Sequence, residues 1–591
     1  MLETCGSGPI IVQSDLSILI DAAHPRFEEC RVKISAFAEL IKSPEYMHTY
    51  RITPVSLWNA AALGMNAEEI IAALRHYSRF SVSENVVHEI NYYCGRYGLL
   101  TLESGGTDGF LKLNSKDRFI IMELCGNSDF SKFIHKKIDE FNVLIKAEMR
   151  GELKRALIKI NYPLRDIAGY VEGAPFEINL RTNSASSNAP FALRDYQNAA
   201  CEAFYRSGGA EGGSGVVVLA CGAGKTCVGM GAMAKTGVKT LIITTNTVAV
   251  RQWISELKDK TDLKEEDIGE YSGEKKQIRP VTVTTYQILM WHRGNDDHYP
   301  HFCVLTDKEW GLIIYDEVHL LPAPIFRVTA QIQAKRRLGL TATLVREDRL
   351  ECDVFSLIGP KIYELPWKNL EKKGHIAKAN CYEVRVKMND ALKYDYAVAK
   401  KAHKHRICAV NHEKANIILK IIETHPKEPV LIIGQYLDQL DIIAKMLGAP
   451  IITGSTPSSE RQALYADFKK GSIPALVVSK VANFAIDLPD ASCAVQVSGA
   501  YGSRQEEAQR LGRVLRPKKD GREAHFYTVV TADSVESDFS MHRQLYLTEQ
   551  GYKYYILDAA EFMNRKRICH EKINGENENF SAVCKSDKIV L

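Results

Sequence analysis

Closely spaced cysteine pairs are missing from this chain. Its 14 cysteines are scattered with no C-x-x-C, which argues against a zinc site, an iron–sulfur cluster or a disulfide framework. Free buried thiols fit a reducing cytosol. Charge of one sign is not in excess either. Lys and Arg number 76 against 72 Asp and Glu, leaving +4 at neutral pH, so any nucleic-acid contact has to come from local patches. No apolar run is long enough to cross a bilayer. The first residues place Glu3 and Asp15 around a short apolar run, where a signal peptide would carry basic residues. No period of solenoid length recurs. The expectation is a cytoplasmic globular chain without a membrane partner, and 591 residues call for roughly three to four domains rather than one core.

What is present is organised around Gly215-Val216-Val217-Val218-Leu219-Ala220-Cys221-Gly222-Ala223-Gly224-Lys225-Thr226. A β-branched run reads as a buried strand. The glycines that follow let backbone N–H groups close around phosphate oxygens. Cys221, Gly222, Ala223 and Gly224 form that cradle; Lys225 would reach the β- and γ-phosphates of ATP, and the Thr226 hydroxyl would ligate Mg²⁺. The turn opens a helix, whose N-terminal dipole favours an anion. Leu219 stands where the full G-x4-GK pattern has its first glycine, so the reading depends on what surrounds it. Upstream, Leu193-Arg194-Asp195-Tyr196-Gln197 puts Arg194 and Gln197 where a glutamine with a nearby aromatic can read adenine.

Downstream, Leu312-Ile313-Ile314-Tyr315-Asp316-Glu317-Val318-His319 is an apolar strand that delivers two adjacent carboxylates, about ninety residues after GKT. Adjacent strand residues face different ways, so the two can divide the labour. Asp316 would hold Mg²⁺ and Glu317 would orient the attacking water. Other strand ends carry hydroxyls and cations: Thr245 and Arg251, Thr285, then Thr341 and Thr343. The C-terminal edge of parallel strands is where open α/β sheets bind ligands.

The N-terminal third reads as small units. Pro54 opens one helix, Asn66 and Glu69 box the next, and Ser83 caps a third that Gly98 stops. With Leu99–Leu102 and Leu111–Leu113 paired as a hairpin, this resembles a winged helix, readable as a DNA or partner module or as a plain interaction domain. Further on, Arg150, Lys154, Arg155 and Lys159 lie opposite a face of Leu153, Leu157 and Ile160. That stripe is either a track for a phosphate backbone or a solvated helix face. Arg181 to Pro190 reads as a linker.

Beyond residue 370 the pattern alternates strand and helix again through Val430–Ile433, Pro450–Gly454 and Ala475–Ser479, a second doubly wound lobe without a GKT of its own. Residues around Lys393 to His405 are dense in Lys and His, fitting either a DNA-touching insertion or a solvated basic helix. Gln509-Arg510-Leu511-Gly512-Arg513-Val514-Leu515-Arg516 puts Arg513 and Arg516 on one helix face. Guanidinium forks bind phosphate bidentately and act as arginine fingers when supplied across a cleft.

GKT, DEVH, TAT and this last motif, in that order, resemble superfamily 2 helicases. Asp316-Glu317-Val318-His319 with Leu344-Val345-Arg346-Glu347-Asp348 and Leu357-Ile358-Gly359-Pro360-Lys361-Ile362-Tyr363-Glu364 is similar to the XPB family of DNA repair and transcription helicases, most like a stand-alone bacterial member. The resemblance implies an α/β fold of two tandem RecA-like doubly wound parallel-sheet lobes, preceded by small α+β N-terminal domains. It implies domains at 1–115 (winged-helix-like), 116–188 (damage-recognition-like, ending in the linker), 189–370 (ATP-binding lobe), 371–560 (second lobe, with a thumb-like insertion near 390–410) and a flexible tail at 561–591. It implies a monomeric ATP-dependent 3′–5′ DNA helicase or translocase acting in repair at single-strand/duplex junctions, with ATP and Mg²⁺ as cofactors and a nuclease or repair protein as partner. Alternatives left open are a duplex translocase without strand separation, a nucleotide-switched DNA scaffold and an RNA helicase. By the same resemblance, Arg346, Glu347 and Asp348 serve duplex opening and Gln509 joins the catalytic set; by position, Thr245, Arg251, Thr285, His319, Thr341, Thr343 and Lys480 are the candidates for coupling to DNA. Asp487 contacts the nucleotide, although Ala485-Ile486 replace the Arg-Gly that many helicases carry before it.

Overall fold

The structure, a computed structural model, describes residues 8–42, 46–106, 109–169, 172–209, 212–292, 299–306, 309–321, 325, 332, 335–342, 351–365, 367–426, 428–479, 491–499, 511, 523–549, 552 and 554–564. Two seven-stranded sheets dominate it, in the order expected of an α/β chain with two doubly wound lobes. The first runs Ile268–Tyr271, Val281–Thr285, Thr240–Thr244, Leu312–Asp316, Arg336–Thr341, Ser214–Val218, Lys361–Glu364, with every pair parallel. The second runs Ile451–Ile452, Ala475–Ser479, Val430–Gly434, Cys493–Gln496, Ala524–Thr531, Ala379–Val386, Tyr554–Asp558, again all parallel. Strands such as Thr240–Thr244 and Val430–Gly434 are buried at every residue. That burial is why they are continuous apolar runs rather than alternating ones.

The strand order positions the site. Ser214–Val218, which leads into the glycine-rich turn, is separated from Leu312–Asp316 by the strand Arg336–Thr341. The C-terminal ends of three neighbouring strands therefore bring the turn, Thr341 and the Asp316–Glu317 pair to one edge.

Two smaller sheets precede the lobes. An antiparallel four-stranded sheet (Ile10–Val12, Ser17–Asp21, Met47–Arg51, Glu39–Lys42) packs with the helices Pro54–Ala62, Ala67–Tyr77 and Glu84–Arg96. Capping boxes at Thr53/Ser56 and Asn66/Glu69 start the first two helices, and Ser83 caps the third. The hairpin Leu100–Ser104/Phe110–Ser115 does not stay with these helices. It sits in a five-stranded sheet with Ile134–Lys137, Asn142–Lys146 and Leu164–Asp166. The physical reason is its core: Leu100, Leu102, Leu111 and Leu113 bury against Ile120, Leu124, Leu153 and Leu157. The hairpin is thus paired into a different sheet from the one on which the three helices pack.

The basic stripe on the helix Arg150–Lys159 is neither a solvated face nor a phosphate track along its length. Arg150 and Lys154 are buried and pair with Asp166 at 2.6 and 3.2 Å, and Arg155 pairs with Asp353 of the first lobe at 3.1 Å. The Ser/Asn-rich stretch before the first lobe is strapped along it. The Arg181 Nε–H donates to the Thr261 carbonyl at 2.6 Å, and the Ser184 hydroxyl to Asp259 Oδ1 at 2.7 Å. The first small domain touches both lobes. Asn59 Oδ1 accepts the Lys361 N–H at 2.9 Å, and Leu545, on the second lobe's helix Val535–Glu549, is buried in that domain's core.

The 390–410 region is a pair of helices, Asp390–Val398 and Lys401–Ala409, with Tyr394 and Val398 exposed. His405 is buried on the second, its Nδ1 2.8 Å from the Tyr436 hydroxyl. The helix Ala559–Asn564 buries Phe562 against the second lobe; residues 565–591 lie outside the described ones.

Candidate nucleotide-binding site

Gly222 and Gly224 take φ of +80° and +79°, the left-handed region that favours glycine. At Gly224 space forbids a side chain as well, since a Cβ would come 2.4 Å from Gln197 Nε2. The helix Lys225–Thr236 starts directly after it with no side-chain cap, so its first N–H groups face the turn, as anion binding requires. Gln197 fixes this turn from behind: its Nε2–H donates to the Ala223 carbonyl at 2.9 Å, beside the Tyr196 hydroxyl at 2.8 Å. Its Oε1 accepts the Arg194 N–H at 2.9 Å, and the Arg194 guanidinium donates to the Tyr196 hydroxyl at 3.2 Å. Both ends of the Gln197 amide are thus engaged with protein.

Lys225 Nζ lies 3.1 Å from Glu317 Oε1. Glu317 follows the strand end with φ +51° and ψ +54°, an uncommon backbone for a non-glycine residue that turns its carboxylate toward Lys225. Its N–H donates to Asp316 Oδ1 at 3.1 Å, and the Trp253 indole N–H donates to Asp316 Oδ2 at 2.8 Å. The Tyr286 hydroxyl donates to the Asp316 carbonyl at 2.9 Å. Burial and the neighbouring Glu317 push the Asp316 carboxyl up to about 6. Burial acts the same way on Glu317, but Lys225 and then His319 outweigh it and hold that carboxyl below its ordinary value. One carboxylate is kept charged and the other poised. Behind them, His319 Nδ1 sits 2.7 Å from the Thr341 hydroxyl and 3.5 Å from Glu317 Oε2, linking the second carboxylate to the intervening strand.

The structure therefore brings together Lys225, Asp316, Glu317, His319 and Thr341, with Cys221, Gly222, Ala223 and Gly224 on the turn before Lys225 and Thr226 in the first turn of the helix. Thr245 accepts from the Asn246 amide at 3.1 Å, and the Thr285 hydroxyl caps the short helix after it by accepting the Ile288 N–H at 3.2 Å. Arg251 pairs with Glu274 at 2.8 Å on the surface. Thr343, Arg346, Glu347, Asp348, Lys480, Asp487, Gln509, Arg513 and Arg516 lie outside the described residues. Sequence reasoning had Tyr196 only as the aromatic near Gln197 and missed the parts played by Trp253 and Tyr286. The available signal was an aromatic two or more residues into the helix that follows a strand end, as at Trp253.

The donors here are a hydroxyl at Thr226 and the Asp316 carboxylate, hard oxygens of the kind Mg²⁺ takes in nucleotide sites, and they flank a turn whose N–H groups suit phosphate. Two parallel-sheet lobes, the first with this phosphate turn and the second with no GKT in its sequence, define a tandem RecA-like nucleotide-driven motor. The sequence narrows the class. The ERCC3/RAD25/XPB C-terminal helicase family matches residues 370–589. The type III restriction enzyme res subunit family matches 190–346, and a helicase conserved C-terminal domain family matches 10–139. The chain is 51% identical over 556 residues to the DNA 3′-5′ helicase XPB of Mycobacterium tuberculosis, covering 94% of this chain and 99% of that one. It is 51% identical to the protein of the same name from Kineococcus radiotolerans, covering 94% and 97%. It is 30% identical to the general transcription and DNA repair factor IIH helicase/translocase subunit XPB/SSL2 of Saccharomyces cerevisiae, covering 93% and 72%. The chain belongs to the XPB family of helicases.

Proposed function

We propose that this chain is an ATP-dependent 3′–5′ DNA helicase that couples hydrolysis to movement along DNA. The observation that carries the reading is the 3.1 Å contact of Lys225 with Glu317 beside Asp316, at the mouth of a phosphate turn. The relatives named above supply DNA and the polarity. Thr226 and Asp316 would hold the Mg²⁺ of ATP·Mg²⁺, which supplies the charge that neutralises the phosphates. An arriving γ-phosphate competes for Lys225 and frees Glu317, already ionised, to accept a hydrogen bond from the attacking water and orient it. His319 follows Glu317 and passes its position to Thr341. We assign Arg513 and Arg516, from the second lobe, to the γ-phosphate, so that the lobes close with ATP and part after hydrolysis. Thr245, Arg251, Thr285, Thr343 and Lys480 are assigned to the strand-gripping face, Arg346, Glu347 and Asp348 to duplex opening, and Gln509 and Asp487 to nucleotide coupling. Repair is the proposed setting and the cytoplasm the proposed compartment. Among the described residues no helix is long and apolar enough to cross a membrane.

The test is steady-state ATP hydrolysis by the purified chain with single-stranded DNA, duplex DNA and RNA, alongside strand displacement from a 3′-tailed duplex. Stimulation by DNA that disappears in Lys225→Ala and Glu317→Gln supports the reading. Turnover indifferent to DNA overturns it in favour of a nucleotide-switched scaffold, and stimulation without displacement leaves a translocase.

A further inference from the structure

A cluster in the second lobe has no part in the nucleotide site. His425 caps the C-terminal end of the helix Glu413–Thr424, Glu428 stands just before the strand Val430–Gly434, and His525 is the second residue of the strand Ala524–Thr531. All three therefore lie at the N-terminal edge of this sheet's strands. One ligand atom from each lies within 4.8 Å of the other two. His425 Nδ1 is 3.6 Å from Glu428 Oε2, and the His425 and His525 rings lie tilted by 48° with 4.6 Å between centroids. The His425 side chain is 8% exposed and that of Glu428 16%.

His425 Nε2 lies 2.9 Å from the Tyr527 hydroxyl. In the tautomer that carries its proton on Nε2, shared with the Tyr527 hydroxyl, Nδ1 turns a lone pair toward Glu428 Oε2, 3.6 Å away. In that tautomer His425 Nδ1 and Glu428 Oε2 are placed to share a cation, with a His525 ring nitrogen in reach of both. A tetrahedral ion with ligand bonds of about 2.1 Å holds its ligands about 3.4 Å apart, against 3.6 Å between His425 Nδ1 and Glu428 Oε2 and no more than 4.8 Å for any pair of the three. An outer partner that orients the ring of a ligating histidine, here the Tyr527 hydroxyl, is the usual companion of such a site.

We propose that His425, Glu428 and His525 form a binding site for a divalent transition-metal ion of the zinc type, with Tyr527 orienting His425. Two imidazoles and a carboxylate suit Zn²⁺, Co²⁺ or Ni²⁺ rather than Mg²⁺ or Ca²⁺. Three protein ligands leave a fourth position for water, which the partial exposure of Glu428 allows. The ion ties the end of a covering helix to a strand of the sheet it covers. The cysteine pattern could not reveal such a site, because no thiolate takes part.

The experiment uses the full chain, treated with chelator and dialysed, then titrated with Co²⁺ while visible absorption is read; Zn²⁺ is then added to displace it. One equivalent of Co²⁺ with the intense bands of a tetrahedral site is expected, bleached by Zn²⁺. The signal is lost in His525→Ala and in the near-isosteric Glu428→Gln, weakened about ten- to hundredfold in affinity in Tyr527→Phe, and unchanged in His542→Ala. Zn²⁺ raises the thermal midpoint of the wild type and leaves that of Glu428→Gln where it was. Absence of the bands in the wild type, or bands of equal strength in both ligand variants, overturns the proposal. If His525→Ala does not fold, Glu428→Gln decides.

Discussion

Each lobe buries a lysine–glutamate pair, and the two pairs behave differently. In the second lobe Lys414 Nζ reaches Glu536 Oε1 at 2.7 Å, Glu536 Oε2 at 2.8 Å and the Val497 carbonyl at 2.9 Å, with both side chains 1% exposed. In the first lobe Lys225 and Glu317 meet at 3.1 Å at a strand end, with side chains 12% and 19% exposed. Burial pushes Lys414 down from its ordinary value in spite of Glu536. Burial acts the same way on Lys225, but its interactions with Glu317 first and then with Cys221 and Asp316 push it up instead. A pair whose donors and acceptors are all matched is a brace. A cation held among too many carboxylates at the mouth of a phosphate turn is a contact that an incoming phosphate can take over.

The largest effect that separates the two is on turnover. Glu317→Gln is expected to lower DNA-stimulated ATP hydrolysis by about 10²- to 10⁴-fold, the range of a lost catalytic base. It should move the thermal midpoint by no more than about 2–4 °C, because one anion of a crowded set has been neutralised. Lys414→Met should do the reverse. It leaves Glu536 buried without its cation and costs about 3–5 kcal/mol in urea unfolding, while hydrolysis measured at low temperature stays near wild type. Adding Glu536→Leu should restore most of the loss, since an apolar pair of similar volume is often as stable as the ion pair. An unfolding midpoint untouched by Lys414→Met would break the distinction drawn between the two pairs.

A third buried cluster sharpens the comparison by having too many cations. Asp166 faces Arg150 and Lys154, with Arg337 nearby. Burial opposes the Asp166 charge, but these cations prevail and hold the carboxyl well below its ordinary range. Lys154, pressed by burial and by the other two cations, falls to about 8 from 10.5. The signs follow from those directions. A depressed carboxyl stabilises above its unfolded pKa and loses that contribution as pH falls. A depressed lysine carries a penalty below about 8, which fades as pH rises toward the ordinary lysine value. Denaturation profiles should therefore show stability dropping in acid below the ordinary carboxylate range and gaining between about pH 8 and 10. Asp166→Asn should remove the acid limb and cost about 3–5 kcal/mol at neutral pH by stranding buried cations. Lys154→Met should remove the alkaline gain at much smaller cost, because Arg150 still holds Asp166.

These clusters also mark where sequence reading stopped. The two lobes were legible because strands buried on both faces must be apolar along their length, as in Leu241-Ile242-Ile243 and Val430-Leu431-Ile432-Ile433. Lys225, Asp316 and Glu317 could be picked out because each stands where an apolar run ends in polar residues. The Arg150–Lys154 stripe was misread because helical periodicity tells only which residues share a face. The partners that bury this face, Asp166 and Asp353, come from a strand 12 residues on and from another domain. The hairpin at 100–115 was assigned to the wrong unit for a similar reason: alternation identifies a pair of strands but not the sheet that extends them.

The smallest expected effect tests whether the first lobe's carboxylates are positioned or merely packed. Trp253 is buried on the helix Thr247–Lys260, and its indole N–H is the side-chain donor on Asp316 Oδ2 at 2.8 Å. That hydrogen bond favours the charged form of Asp316 against burial and the repulsion of Glu317. Trp253→Phe keeps a ring in the core and removes the donor. A hydrogen bond to a charged group contributes about 1.5–3 kcal/mol, so the apparent KM for ATP·Mg²⁺ should rise about tenfold or more, while kcat at saturation changes little. The thermal midpoint falls modestly in either case, because an indole is larger than a phenyl ring and Gly229 was shaped to receive it: a Cβ there would lie 2.6 Å from the indole. The split between KM and stability is therefore what decides. A drop in midpoint with KM unchanged would mean that Trp253 only fills space and that Asp316 is held by its backbone alone. A raised KM places the indole in the nucleotide site, as the residue that keeps one of two crowded carboxylates ready to ionise.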